Sequence, residues 1–99
     1  MAVKNMYFDK TEMVVMVPAG KKIINLNLSY DQISRIQIDP CTEISFFRKV
    51  PSEKITIITS KHANPIVFTK CKNKKFYEEY KAGITKFASD NRVTFSNNT

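Results

Sequence analysis

The sequence predicts a mainly β fold closed by one C-terminal α-helix, and three observations predict it. Residues 24–38 hold two alternating runs, Ile24, Leu26 and Leu28 and then a run ending in Ile36 and Ile38, separated by a polar break at Ser29, Tyr30 and Asp31. That period of two belongs to half-buried strands. Similar short runs flank this stretch on both sides, seven strands in all, joined by turn formers, as in an antiparallel sandwich or barrel. From Asn73 onward the apolar period lengthens to that of an amphipathic helix.

The elements follow in order. Met6, Tyr7 and Phe8, within Met1 to Asp9, pair as a hairpin with the β-branched run Glu12 to Val17 across the polar turn Asp9, Lys10 and Thr11. Pro18, Ala19, Gly20 and Lys21 break the chain, and Lys22 to Leu28 is the third strand. Ser29 to Ile33 has the spacing of one helical turn or bulge, with Ser29 or Asp31 as a cap, and aims Ile33 and Ile36 into the core. Asp39 and Pro40 are expected to stop the fourth strand.

Glu43 to Val50 is expected as a fifth strand, Pro51 to Glu53 as a reversal, and Lys54 to Ser60 as a sixth strand. Lys61 to Pro65 is a loop before the seventh strand, Ile66 to Thr69. The helix is expected over residues 73–89, with Asn73 as N-cap and Phe76, Tyr80, Ile84 and Phe87 as its apolar stripe. Arg92 to Phe95 adds extended residues, and Ser96 to Thr99 is expected to fray.

Ninety-nine residues fit a single domain, 1–99, and a chain of this length buries enough surface for one core without staples. Seven Phe and four Tyr within a 42% hydrophobic composition exclude a disordered chain. No apolar N-terminal segment of signal-peptide length and no run near eighteen apolar residues is present, so a cytoplasmic protein is expected. Cys41 and Cys71 stand without a CxxC motif or clustered His. In a reducing compartment they read as small hydrophobes, and no metal or other cofactor is expected.

The order of strands, the segment Leu-Ser-Tyr-Asp-Gln-Ile-Ser-Arg-Ile-Gln-Ile with Ile33 and Ile36 entering the fourth strand, and the final helix together resemble the pleckstrin-homology-like (PH-like) superfold, in particular small bacterial PH-like and GRAM-like domains. The resemblance runs from about Met6 to Phe87. It implies a seven-stranded, partly open antiparallel barrel capped by the helix, with Phe76, Tyr80, Ile84 and Phe87 facing inward. It implies no activity, because this superfold hosts lipid, peptide and protein binding as well as architectural roles. PH domains that bind phosphoinositides place several basic residues in and after the first strand–strand loop. Here that loop is Asp9, Lys10 and Thr11, with Glu12 beside it, so the usual headgroup site is not expected.

Catalysis needs a positioned acid, base or nucleophile. The single histidine, His62, falls between Lys61 and Ala63 in a loop, and the phosphate-binding, dinucleotide, metalloprotease and EF-hand motifs are absent, so no catalytic residue is named. Two surface candidates remain. If Phe46 points inward with Ile44, then Phe47 points outward beside Arg48 and Lys49 as an apolar and basic strand patch, although a register shift of one residue would exchange the two rings. Lys70, Lys72, Lys74 and Lys75 form a candidate anion patch against a background charge of +7. The expected function is a non-enzymatic binding or assembly module with a protein partner or a second copy of itself. Peripheral binding to anionic membrane lipid is the alternative. Phe46, Phe47, Tyr7, Phe8 and Phe68 near basic residues also allow a stacking surface for single-stranded nucleic acid, but core packing accounts for most strand aromatics, and nucleic acid is not an expected partner.

Overall fold

Residues 4–99 are described by the structure, a computed structural model. The start of the expected first strand, residues 1–3, lies outside the described residues. The chain runs β1 (Met6–Phe8), β2 (Glu12–Ala19), β3 (Lys22–Ser29), a 3₁₀ turn (Tyr30–Gln32), β4 (Ile33–Ser45), β5 (Arg48–Thr59), β6 (Ile66–Thr69), α1 (Tyr77–Asn91) and β7 (Phe95–Asn97). It is mainly β with one C-terminal helix. The strands form two sheets, ordered β1-β2-β3 and β6-β5-β4-β7, and no closed barrel.

Alternation produces β2 as expected, whereas in β3 only Leu28 is buried, Leu26 is half-buried and Ile24 is exposed. Met13, Val15 and Val17 of β2 point into the core with Met6 and Leu28, while Val14 and Met16 are half-buried on the other face. Gly20, at φ 67°, makes the β2–β3 turn, where a side chain would be strained. The strand continues through Pro18 and Ala19 before that turn. Pro18 lies beyond the short β1, so its missing N–H interrupts no pairing on the open side of β2. At the 3₁₀ turn Ser29 N–H donates to Gln32 Oε1 at 3.0 Å, half of a capping box.

The second sheet departs from expectation in its longest elements. Asp39 and Pro40 do not stop the fourth strand, and Pro51 to Glu53 make no reversal. Instead β4 and β5 pair without a break from Arg35–Ile58 to Ser45–Arg48, with Phe46 and Phe47 as a two-residue turn. The expected fourth, fifth and sixth strands are therefore the two arms of one long hairpin. Counting back from the closing pair Ser45–Arg48, pairs alternate between hydrogen-bonded and open, and both Thr42–Pro51 and Pro40–Glu53 fall at open positions. Each proline then lacks an N–H that would only have faced outward, so neither disrupts the ladder.

The helix begins at Tyr77, four residues later than expected. Asn73 does not cap it: its side-chain amide donates back to the Thr69 carbonyl at 2.8 Å, and the chain from Lys70 to Phe76 runs as consecutive turns. Tyr80, Ile84 and Phe87 are buried as the stripe predicts, joined by Tyr77 and Ala88, while Phe76 is half-buried. Arg92 ends the helix in the left-handed conformation, φ 55°.

The tail is ordered, not frayed. Residues Phe95–Asn97 pair in parallel with Ile36–Ile38, and Asn98 N–H donates to the Ile38 carbonyl at 2.8 Å. Parallel pairing here follows from the helix, which carries the chain back along the sheet before β7 enters.

One apolar cluster joins both sheets and the helix, built around Met6, Val15, Leu28, Ile36, Ile38, Ile55, Ile57, Tyr80 and Ile84. The helix seals it through edge and tilted ring contacts, Phe68 with Tyr80 at 5.8 Å and Phe8 with Phe87 at 6.0 Å.

Candidate functional site

The core ends partway along the β4–β5 hairpin. The pair Ile38–Ile55 is fully buried, and no residue from Asp39 to Lys54 is. Seven further residue pairs lead to the turn, which places the tip roughly 20 Å beyond the core at the usual rise of a strand. A two-stranded arm of this kind is marginally stable alone.

Phe46 and Phe47 occupy its turn at φ 50° and 62°. Positive φ at both positions is the type I′ geometry that matches strand twist in a two-residue hairpin, and its preferred residues are Asn and Gly. Bulky side chains there crowd the following carbonyl, at a cost of roughly 1–2 kcal/mol per residue. Phe46 is 88% exposed and Phe47 104% exposed. The expected picture of an inward Phe46 and an outward Phe47 on one strand is thus corrected: neither ring belongs to a strand face, and both project from the end of the arm.

Ile44, 76% exposed, lies opposite Lys49 on the solvent face, adding a third apolar side chain beside the turn. Arg48 and Lys49 are exposed immediately behind the rings. Residues 44–52 hold these two cations and no carboxylate.

The face of the arm opposite Ile44, which carries Glu43 and Ser52, meets the turn-rich segment between β6 and α1, whereas Glu53 shares the Ile44 face nearer the core. Glu43 Oε2 accepts hydrogen bonds from Ser52 Oγ and, at 3.1 Å, from the Cys71 backbone N–H. These donors, Ser52 first, hold the Glu43 carboxyl down to about 2, against a smaller opposing effect of burial. Nearer the core, Lys81 Nζ reaches Glu53 Oε1 at 2.9 Å, which lowers the Glu53 pKa, and the Tyr77 hydroxyl faces the same oxygen at 3.5 Å. Burial, then the Glu53 charge, raises the Tyr77 pKa.

These carboxylates change the meaning of the lysine cluster. Lys70 and Lys74 line an open hollow of about 410 Å³ with Pro51, Ser52, Glu53 and Cys71. Lys70 also lies 3.7 Å from Glu78, and the Cys71 N–H points at Glu43. Lys72 and Lys75 are exposed, Lys75 over the Phe76 ring at 5.5 Å. The four lysines therefore do not converge on one concave site, and two of them flank a region already supplied with Glu43 and Glu53.

No family model matches the chain, and no curated protein or solved structure is significantly similar to it. Function has to be read from the side chains themselves. His62 is half-buried in its loop, where Nδ1 lies 2.8 Å from the Asn64 carbonyl. Both cysteines are free and half-buried, with Cys71 Sγ 3.7 Å from Ser52 Oγ. No helix among the described residues is long and apolar enough to cross a membrane. Of the residues at the tip, sequence reasoning singled out Phe47, Arg48 and Lys49 as a candidate surface, and did not place Phe46 and Ile44 beside them or foresee the Glu43 hydrogen bonds. The missing signal was the turn, because Phe-Phe lacks the Asn or Gly that marks a two-residue hairpin.

Proposed function

We propose that this chain is a single-domain, non-enzymatic binding module of the bacterial cytoplasm, PH-like in its order of strands and closing helix, and that it engages its partner through the β4–β5 hairpin tip. The observation that carries the proposal is the pair of rings at 88% and 104% exposure, both at positive φ. Neither ring contributes burial to folding, and both strain the turn. Such residues fit a contact made outside the chain, since backbone strain concentrates at ligand clamps and contact sites.

The arrangement of carboxylates supports a non-catalytic reading. Glu43 and Glu53 are engaged by Ser52, Cys71 and Lys81 within the fold. The PH-like assignment draws support from the three-stranded sheet, the hairpin with its short partner strand and the helix that follows; β7 is an addition to that plan.

Three kinds of partner offer a surface for an apolar tip: a cleft on another protein, a second copy of this chain, or a lipid bilayer. Sedimentation velocity over a concentration series and vesicle pelleting, each on the wild type and on F46N/F47G, test the role of the tip. An association present in the wild type and lost in the variant is expected. Equal behaviour of the two proteins in both assays would remove the proposal.

A further inference from the structure

We propose that the partner is an anionic lipid bilayer, into whose interfacial layer the hairpin tip inserts Phe46, Phe47 and Ile44. The inference rests on the tip as docking surface and names what it docks to. Its first support is shape. The tip is convex and narrow, and two exposed phenylalanines present on the order of 300–500 Å² of apolar surface. A stable protein interface buries about 800 Å² on each partner, with complementary packing. A bilayer takes a convex finger without a preformed pocket, so the small area is sufficient there.

The second support is charge order along the arm. The rings come first, then Arg48 and Lys49 one and two residues behind them, with no carboxylate from Ile44 to Ser52. When the rings enter the boundary between headgroups and acyl chains, about 5–10 Å deep, those two cations lie among the phosphates. Glu43, the first acid behind the tip, is on the face turned toward Ser52 and Cys71 and accepts hydrogen bonds there.

The third support separates this site from the lysine cluster. Lys70 and Lys74 adjoin Pro51 and Ser52, about 15 Å behind the tip along the strand. With the rings inserted they stand roughly 5–10 Å from the surface, about one Debye length at physiological salt, where attraction is weakened by screening. Tip residues should therefore dominate binding, and the lysines should contribute weakly.

Pelleting with sucrose-loaded vesicles of phosphatidylcholine alone and with about 30% phosphatidylglycerol tests this. Wild type should bind the anionic vesicles and lose affinity as salt rises. F46N/F47G should lower partitioning about a hundredfold, tenfold for each partly buried ring, and R48Q/K49Q about thirtyfold, while K70Q/K74Q changes it by only about threefold. Because the chain contains no Trp, F47W supplies a single reporter. Its emission should shift to the blue on anionic vesicles and be quenched by brominated acyl chains. Circular dichroism and a cooperative melt check that each variant is folded.

Absence of binding to anionic vesicles, or binding that F46N/F47G leaves unchanged, would overturn the inference. If vesicles are not bound but F46N/F47G abolishes a concentration-dependent self-association, bilayer insertion is overturned while the tip remains a docking surface. If neither assay responds to the tip, both readings fall.

Discussion

Replacing Phe46-Phe47 by Asn-Gly should stabilise the protein while removing the two rings of the proposed docking surface. Phe at φ 50° and 62° carries roughly 1–2 kcal/mol of steric cost per residue, which Gly avoids and Asn largely avoids. Against this gain, Gly adds conformational freedom to the unfolded chain worth about 0.5–1 kcal/mol. Burial enters little, because rings 88% and 104% exposed lose almost no contact when truncated. The net expectation is about 1–3 kcal/mol of added stability, or about 5–15 °C in Tm for a domain of this size. Calorimetry and urea unfolding would measure it, and an unchanged m-value would show that the same surface is exposed on unfolding. A lower midpoint would refute the reasoning, since it would mean that the rings pack within the chain.

Three further outcomes follow from the packing and the hydrogen bonds. The Glu43 pKa is depressed in the fold, so its contribution is fully present above the unfolded carboxyl value and is lost as pH falls toward about 2; urea midpoints between pH 5 and pH 2 should fall less steeply in E43Q than in wild type. In G83A the new Cβ would clash with the Phe8 ring, so overpacking should outweigh the gain in helix propensity and give a net loss of about 1–2 kcal/mol in thermal unfolding. Y80F removes the hydroxyl that accepts the Asn5 N–H at 2.6 Å, which should cost about 1 kcal/mol and speed hydrogen exchange at Asn5.

Regular patterning made much of this fold readable. Alternation in β2 and the spacing of Tyr80, Ile84 and Phe87 reflect burial on one side of a strand or helix, so the code is local. The long hairpin was hidden for a different reason. Pro40 and Pro51 end strands in a sheet interior but are tolerated at the open positions of a two-stranded arm, and that context is tertiary. The parallel strand Phe95–Asn97 was hidden likewise, because three residues hold no period and their place depends on where the helix returns the chain. At the candidate site, the alternation pattern put Phe46 and Phe47 on a strand, whereas they form the hairpin turn. A turn made of Phe-Phe contradicts turn propensity, and such contradictions concentrate at functional or strained positions.

The brace and the tip also depend on each other. Beyond Ile38–Ile55 the arm has no core, so its direction rests on Glu43 with Ser52 and Cys71, and on Glu53 with Lys81. Both carboxylates connect the hairpin to the segments around Cys71 and the first turns of α1. The lysine-rich turn, a candidate anion patch in the sequence, thus also braces the arm, and two of its neighbours are acids. For the contact proposed above a rigid arm matters, because the entropic cost of contact falls when the docking groups are already ordered. A fixed register matters equally: a slip by one residue would move Glu43 to the solvent face and turn Ile44 toward Ser52. The hydrogen bonds on one face of the arm thereby determine which side chains the other face and the tip present.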